Sequence, residues 1–217
     1  MYPFFILTSN VYSQGNFSIH FGPLLPLSSF ADDNLDDDEA GGAGIGFGLG
    51  VQYVYSLSES GLGLFGGIDF NYNGLKGDVK DDIKDLYDAM GINNAYIIYW
   101  KYINIPISAG LNYTLVTDNN ISLIGNIGLT ANFLKITDFV VGVDSEEIRV
   151  EFDLANSIGF KIGGGILLNN KTSIEINYLG LGDHDIEGKI EFDGESDDID
   201  DFKQNVSILT LTIGFKF

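Results

Sequence analysis

Cysteine is absent from this sequence of 217 residues, and its absence excludes several kinds of site at once. A chain without thiols forms no disulfide, holds no thiolate-bound metal and uses no cysteine nucleophile. Basic residues are also few, because 11 Lys and Arg stand against 31 Asp and Glu, for a formal net charge of -20. Nucleic-acid binding depends on basic side chains that neutralise phosphates, so this charge argues against a nucleic-acid partner.

Long apolar runs are missing as well. No stretch approaches the roughly 20 apolar residues that a transmembrane helix needs. Proline is scarce, with 4 residues, whereas glycine is abundant, with 28. The mean hydropathy is nevertheless positive, so apolar and acidic residues must occupy different segments. Residues 1–14 contain a short apolar run at 4–7, which we interpret as the remnant of an export signal peptide or an N-terminal extension.

The end of the chain shows the clearest pattern. Every second residue from Leu209 to Phe217 is large and apolar, and small or polar residues lie between them. Side chains alternate across a strand, so this pattern predicts a two-faced β-strand. Similar alternation predicts seven earlier strands, near 16–25, 43–57, 62–74, 96–115, 121–134, 154–168 and 172–182. Pro106 removes a backbone donor from the fourth of them, which predicts a bulge or a local gap in pairing.

The connections between these strands alternate in length. Tight turns are predicted at 58–61, 117–120 and 169–171. The other four connections, 26–42, 75–95, 135–153 and 183–203, are long and contain all but four of the 31 acidic residues. Up-and-down membrane barrels have this asymmetry, with short periplasmic turns and longer outer loops.

Two of the long connections have structure of their own in the sequence. The second has apolar residues at helical spacing, which predicts a short helix near 79–90 with Asp78 as its cap. In the third, the pieces 139–143 and 147–152 are predicted to extend the flanking strands beyond the membrane.

The polar face of the predicted strands consists mostly of Gly, Asn, Ser and Thr. Small polar residues fit a narrow interior, whereas the outside of a soluble barrel, such as a lipocalin-like one, carries many Lys and Glu. The opposite face is apolar and free of charge, as lipid requires. We therefore predict an all-β, eight-stranded antiparallel up-and-down transmembrane barrel over 15–217, with four long acidic outer loops and both termini in the periplasm.

Two segments carry a resemblance to a known family. Residues 102–107, Tyr-Ile-Asn-Ile-Pro-Ile, are similar to a Tyr-x-x-(Ile/Leu)-Pro-(Leu/Ile) strand, and the chain ends on an alternating strand with a terminal Phe. In these features the sequence resembles the porin-like and OmpA/OmpX-like eight-stranded barrels of Gram-negative outer membranes. The resemblance implies contact with outer-membrane lipid and lipopolysaccharide. It also implies insertion by the barrel-assembly machinery, which would read Leu209, Leu211, Ile213, Phe215 and Phe217.

Nine polar residues share the inward side of the predicted strands. They are His20, Gln52, Asp69, Asn71, Asn126, Lys161, Glu175, Asn177 and Lys216. Eight strands leave an interior that side chains just fill, so we favour a lumen closed by a paired polar network. A constricted ion path is the alternative. His184, the second histidine, is placed at the start of the fourth loop, and no catalytic residue, cofactor or metal is predicted.

Two acidic runs in the outer loops concentrate carboxylates. Their members are Asp32, Asp33, Asp36, Asp37, Asp38, Glu39, Asp197, Asp198, Asp200 and Asp201. Such clusters suit a hard cation such as Ca²⁺, although neither matches the register of a calcium loop. A solvated anionic rim, able to bridge to lipopolysaccharide through divalent ions, is the simpler interpretation.

The functional prediction follows from these loops. We expect a structural or recognition protein that meets a protein partner through its acidic outer loops. A small cation-preferring porin is one alternative. A lipid-modifying outer-membrane enzyme is another, disfavoured because the outward strand faces show no Ser, His or acidic cluster near the rim.

Overall fold

The computed structural model describes residues 15–34, 37, 39–58, 60–92, 94–118, 120–143 and 146–217. The predicted signal-peptide remnant at 1–14 therefore lies outside the described residues, as do Asp36 and Asp38 of the first acidic run. No helix in this part of the chain is long and apolar enough to cross a membrane.

The described chain consists mainly of strands. In order, its elements are β1 (Gly15–Leu27), a 3₁₀ turn (Ser28–Ala31), β2 (Gly46–Ser56), β3 (Leu62–Asn73), α1 (Gly77–Ala89), β4 (Tyr96–Ile98), β5 (Tyr102–Asp118), β6 (Ile121–Ile136), β7 (Phe139–Val143), β8 (Glu146–Phe152), β9 (Leu154–Leu168), β10 (Thr172–Ile186), β11 (Gly188–Phe192), β12 (Glu195–Asp198) and β13 (Phe202–Lys216).

Eight of these strands close into an antiparallel barrel, which confirms the predicted fold. The order around the ring is β1-β2-β3-β5-β6-β9-β10-β13, and β13 pairs with β1. The ladder between β3 and β5 has no pair at Pro106, which is the local gap in pairing predicted from the sequence. Along β5, Ile107 and Leu111 are exposed on the outside, whereas Ser108 and Asn112 are buried inside. This inverted distribution is the one that surrounding lipid requires, so the barrel is transmembrane.

The remaining strands form a second sheet, which the sequence did not predict. Its order is β12-β11-β8-β7-β4. The predicted fourth strand, 96–115, is in fact two strands, because β4 pairs with β7 and only β5 belongs to the barrel. The pieces at 139–143 and 147–152 do extend the flanking strands, as predicted, because β7 follows β6, β8 precedes β9, and the two pair with each other in the same register. The ladder of β6 with β9 thus continues in one register beyond the barrel, where Phe139 and Phe152 pack against a buried cluster.

The predicted helix is present as α1, and its residues Val79 and Ile83 are buried against the loop end of the barrel. Asp78 lies in the first turn and does not cap the helix. The N-cap position is Lys76, which makes no side-chain capping bond. The cap prediction was wrong because Leu75 bridges to Ala43, so the helix begins directly after Lys76.

A bulge in β10 reverses which of its side chains face the lumen. Asn177 and Leu179 are buried before the bulge, and His184 and Ile186 are buried after it. The pairing of β10 with β13 shifts between Gly180 and Gly182. The predictions that this strand ends at 182 and that His184 begins a loop are therefore wrong, because the extra residue of a bulge changes the two-residue period.

Gly182 is the residue that this bulge depends on, and Gly182→Ala is expected to lower the free energy of unfolding by about 1–3 kcal/mol. The φ of Gly182 is +84°, and a Cβ there would lie 2.7 Å from the carbonyl oxygen of Ile158. Urea unfolding in lipid vesicles measures the change. Gly194→Ala is the matched control, because φ is +82° there and nothing lies within 4 Å of the added Cβ. A larger loss at Gly194 than at Gly182 would contradict this explanation.

Candidate functional site: the barrel interior and the outer sheet

A histidine, a carboxylate and a lysine form a charge cluster in the middle of the barrel. His20 Nε2 on β1 lies 2.5 Å from Asp69 Oδ1 on β3, and Lys161 Nζ on β9 lies 3.8 Å from Asp69 Oδ2. Asp69 is 7% exposed and Lys161 is 5% exposed. A buried charge is tolerated only with a partner of opposite sign, so Lys161 depends on Asp69.

Two neighbouring residues accommodate this charge cluster, Gly50 by leaving space and Phe65 by contacting Lys161. A Cβ at Gly50 would overlap Asp69 Oδ1 and would lie 2.5 Å from His20 Nε2, so only glycine leaves room for the pair. On another side, Lys161 Nζ lies 5.9 Å from the centre of the Phe65 ring. The negative face of an aromatic ring attracts a cation, so Phe65 adds a second favourable contact for the ammonium.

The other predicted lumen residues also face inward, but in separate groups. Asn126 Nδ2 donates to Asn177 Oδ1 at 3.1 Å, and Asn71 is buried close to the charge cluster. Gln52, Glu175 and Lys216 lie nearer the tight turns, where they line a cavity of about 60 Å³. The nine residues thus share the interior without forming one continuous hydrogen-bonded network.

His184 is the inward polar residue that the sequence did not reveal. It is fully buried at the loop end of the barrel. Its Nε2 lies 2.9 Å from Asn132 Nδ2 and 2.8 Å from Ser157 Oγ, and its Nδ1 lies 3.3 Å from the carbonyl oxygen of Gln204. A carbonyl oxygen only accepts, so we assign the proton to Nδ1 and the acceptor role to Nε2. The glycines at 180 and 182 were the available signal, since isolated glycines in a strand indicate a bulge.

The continuation of β10 also changes the outer surface near the rim. Asp185 is exposed there, and with Asp153 and Glu187 it lines a cavity of about 270 Å³. The expectation that the outward faces carry no acidic cluster near the rim is therefore wrong. In the sequence, Asp183 and Asp185 seemed to belong to a loop because the bulge concealed the last part of the strand.

An apolar cluster lies between the polar interior and the outer loops. Phe30 of the 3₁₀ turn packs edge-on against Tyr102 at a ring distance of 4.9 Å, and the Tyr102 hydroxyl donates to the carbonyl oxygen of Gly41 at 2.6 Å. The other buried members are Leu24, Ala43, Leu75, Val79, Ile83, Leu134, Ile136, Ala155, Leu179, Leu181, Ile186, Val206 and Ile208. The loop end of the barrel is therefore filled by side chains from both strands and loops.

The five-stranded outer sheet has one apolar and one charged face. Residues directly opposite each other in an antiparallel pair share a face. Across four strands the apolar face carries the row Ile97, Val141, Ile148 and Phe192. The other face carries the ion pairs Arg149–Glu147, Arg149–Asp138, Lys189–Glu151 and Lys189–Glu191.

Hydrogen bonds on the charged face change the pKa values of Glu147 and Tyr96. The Tyr96 hydroxyl donates to Glu147 Oε2 at 2.6 Å, and Arg149 Nη2 donates to Glu147 Oε1 at 2.8 Å. The Tyr96 bond, followed by the Arg149 bond, lowers the pKa of Glu147, and the same contact raises the pKa of Tyr96. The basic groups on this face are therefore already engaged by its own carboxylates.

The acidic residues predicted to bind a cation do not lie together where the structure describes them, which leaves out Asp36 and Asp38. Asp197 and Asp198 are neighbours on β12, so they lie on opposite faces of the strand. Asp33 instead pairs with Lys76 at 3.1 Å, and that hydrogen bond lowers the pKa of Asp33. Asp32 and Asp37 each accept a nearby backbone N–H, whereas Glu39, Asp200 and Asp201 are exposed. No three acidic or histidine side chains of the described chain form a metal-binding group, and the cation-binding rim stays a prediction.

Solved structures similar to this chain are outer-membrane barrels. A major outer membrane protein from Thermus thermophilus matches with a TM-score of 0.50 and 14% identity, over 94% of this chain and 100% of that one. Neisserial surface protein A matches with a TM-score of 0.48 and 13% identity, over 93% and 95%. The attachment invasion locus protein of Yersinia pestis matches with a TM-score of 0.42 and 14% identity, over 94% and 99%.

In sequence, no protein-family model and no curated protein matches the chain. The assignment therefore depends on the closed ring of eight strands, its apolar outside and polar inside, and the likeness to the Thermus structure. By fold, this chain is an eight-stranded transmembrane β-barrel similar to an outer-membrane protein of solved structure.

Proposed function

We propose that this barrel is closed to solutes and serves as a structural and recognition protein of the outer membrane, and not as an enzyme. The observation that carries the proposal is that side chains fill the barrel interior at two levels, in the middle and at the loop end. Asp69 pairs with Lys161 and contacts His20 in the middle, and Phe30 and Val79 are fully buried at the loop end. Eight strands leave little interior space beyond these side chains.

The acidic loops supply the recognition surface in this proposal. With the tight turns and both termini in the periplasm, the sheet of β4, β7, β8, β11 and β12 faces the cell exterior. Its acidic surroundings disfavour anionic partners and favour cationic ones. Divalent ions bridging the rim to lipopolysaccharide, and a C-terminal assembly signal on the exposed side chains of Leu211, Ile213 and Phe215, belong to the same proposal.

Conductance tests the closed interior. Purified barrel added to a planar lipid bilayer is expected to produce no stable single-channel steps, because the buried apolar cluster around Phe30 fills its loop end. A general porin under identical conditions is the positive control, and detergent buffer alone is the negative one. Stable, large steps with preference for cations would overturn the proposal and favour the channel alternative.

Besides the acidic cavity at the rim, the enzyme alternative is favoured by the 2.8 Å contact of Ser157 Oγ with His184 Nε2. A serine nucleophile activated by histidine usually has a carboxylate orienting the other ring nitrogen. Here Nδ1 of His184 meets the carbonyl oxygen of Gln204, and the imidazole is fully buried. We therefore interpret the contact as part of the packed interior.

A further inference from the structure

We propose that the open edge of β12 binds an extended, basic polypeptide segment, which adds a strand to the outer sheet. This inference rests on the proposed recognition role of the outer loops and names the chemistry of the partner. It is carried by the position of β12, by the charges on it, and by the apolar side chains next to it.

β12 is the last strand of its sheet. Among the residues that the structure describes, it pairs with β11 alone, so its other edge is open. An edge strand presents unpaired backbone N–H and C=O groups, and extended peptides bind proteins by pairing with such edges. All four residues of β12, Glu195–Asp198, are exposed. The opposite edge, β4, has only three residues and offers a shorter ladder.

The charges on this edge are acidic and lack internal partners. Glu195 lies opposite Phe192 and Asp197 lies opposite Ile190, so both carboxylates are on the apolar face. That face carries no basic residue on any of the five strands. Within the described chain neither Glu195 nor Asp197 forms an ion pair, whereas Lys189 and Arg149 are both paired on the other face.

The apolar side chains beside the edge select long basic residues. Phe192 is 47% exposed, Ile190 is 37% exposed and Ile148 is 36% exposed. On an added strand, side chains opposite Glu195 and Asp197 would share their face with these three residues. Lys and Arg fit both features, because their methylene stems cover apolar surface while their charged ends reach the carboxylates.

The same charges exclude two other occupants. A second copy of the chain would bring its own acidic β12 to the edge, and like charges directly opposite each other are destabilising. Without divalent ions to bridge the two, an anionic lipopolysaccharide surface would also be repelled from this edge. The edge thus disfavours self-association while it remains complementary to a basic strand.

The experiment uses the full barrel in nanodiscs of zwitterionic phosphatidylcholine, so that the lipid adds no net charge. The probe is a fluorescein-labelled peptide of alternating Lys and Thr. Fluorescence anisotropy is expected to show binding, and amide hydrogen exchange at 195–198 is expected to slow in the complex. Glu195→Gln with Asp197→Asn should weaken binding about five- to tenfold, through the loss of two cross-strand charge pairs.

Two controls separate strand addition from diffuse attraction. A Lys-Thr peptide of equal charge that is methylated on every backbone nitrogen cannot donate N–H groups to the ladder, and it should leave exchange at 195–198 unchanged. Asp81→Asn with Asp82→Asn removes two exposed carboxylates from α1 and should preserve binding. Equal exchange protection by both peptides, equal weakening by both double variants, or no binding would each overturn the inference. Channel steps in the bilayer experiment would overturn the closed-barrel function alone.

Discussion

Asp69→Asn is expected to lower the free energy of unfolding of the barrel by about 3–5 kcal/mol, the cost of leaving a buried charge without its partner. Asp69 is the only carboxylate within ion-pair distance of Lys161 in the described chain, with Nζ 3.8 Å from Oδ2. Lys161 is 5% exposed, so water cannot take over the role of the carboxylate. His20, whose Nε2 lies 2.5 Å from Asp69 Oδ1, would keep only a neutral amide as its partner.

Urea unfolding in lipid vesicles, followed by the fluorescence of Trp100 and by heat-dependent gel migration, measures this loss. Trp100 is the one tryptophan of the chain. Asp193→Asn is the matched control, because it removes a carboxylate from an exposed hairpin and should change stability by less than about 0.5 kcal/mol. Similar losses in the two variants would show that the charge cluster is not the origin of the effect.

A double variant distinguishes the loss of the Asp69–Lys161 ion pair from the loss of side-chain packing at position 69. Asp69→Asn with Lys161→Met removes both charges and keeps an unbranched side chain at 161. Replacing a buried ion pair with apolar residues of similar volume is often neutral, so this variant should regain most of the stability. Failure to regain it would show that Asp69 acts mainly through His20 or through packing.

The barrel itself was predictable because its evidence is local. Each barrel strand has a two-residue period, so inward and outward residues such as Asn126 and Ile127 can be told apart from the sequence. The same parity placed Asp69 and Lys161 on the inner face. It did not show that they would meet, because strand pairing around a closed ring fixes their contact, and the sequence gives no distance between β3 and β9.

The features that sequence reasoning missed depend on a bulge or on contacts between distant loops. One extra residue at Gly180–Gly182 moved His184 from a supposed loop into the interior. The outer sheet joins strands from three different connections, so no single segment reveals it. In the sequence Asp197 and Asp198 form one acidic pair, but as consecutive residues of β12 they lie on opposite faces of the outer sheet.

Phe30→Ala is expected to cost about 3–5 kcal/mol, because it removes a fully buried aromatic ring from the apolar cluster. The ring also contacts Tyr102 edge-on, an arrangement that adds to the loss. Phe30 belongs to a loop, whereas Tyr102 begins β5. The substitution therefore weakens the contact that joins the outer loops to the barrel wall.

The position of the loss is as informative as its size. Amide hydrogen exchange should accelerate first in α1, whose residues Val79 and Ile83 pack in the same cluster, and only later in β9 and β13. Phe192→Ala is the control, because that ring is 47% exposed on the outer sheet and its loss should cost about 1 kcal/mol or less. Uniform acceleration along all strands would instead mean that the cluster and the barrel unfold as one unit, and the loop end would then be an inseparable part of the membrane-spanning structure.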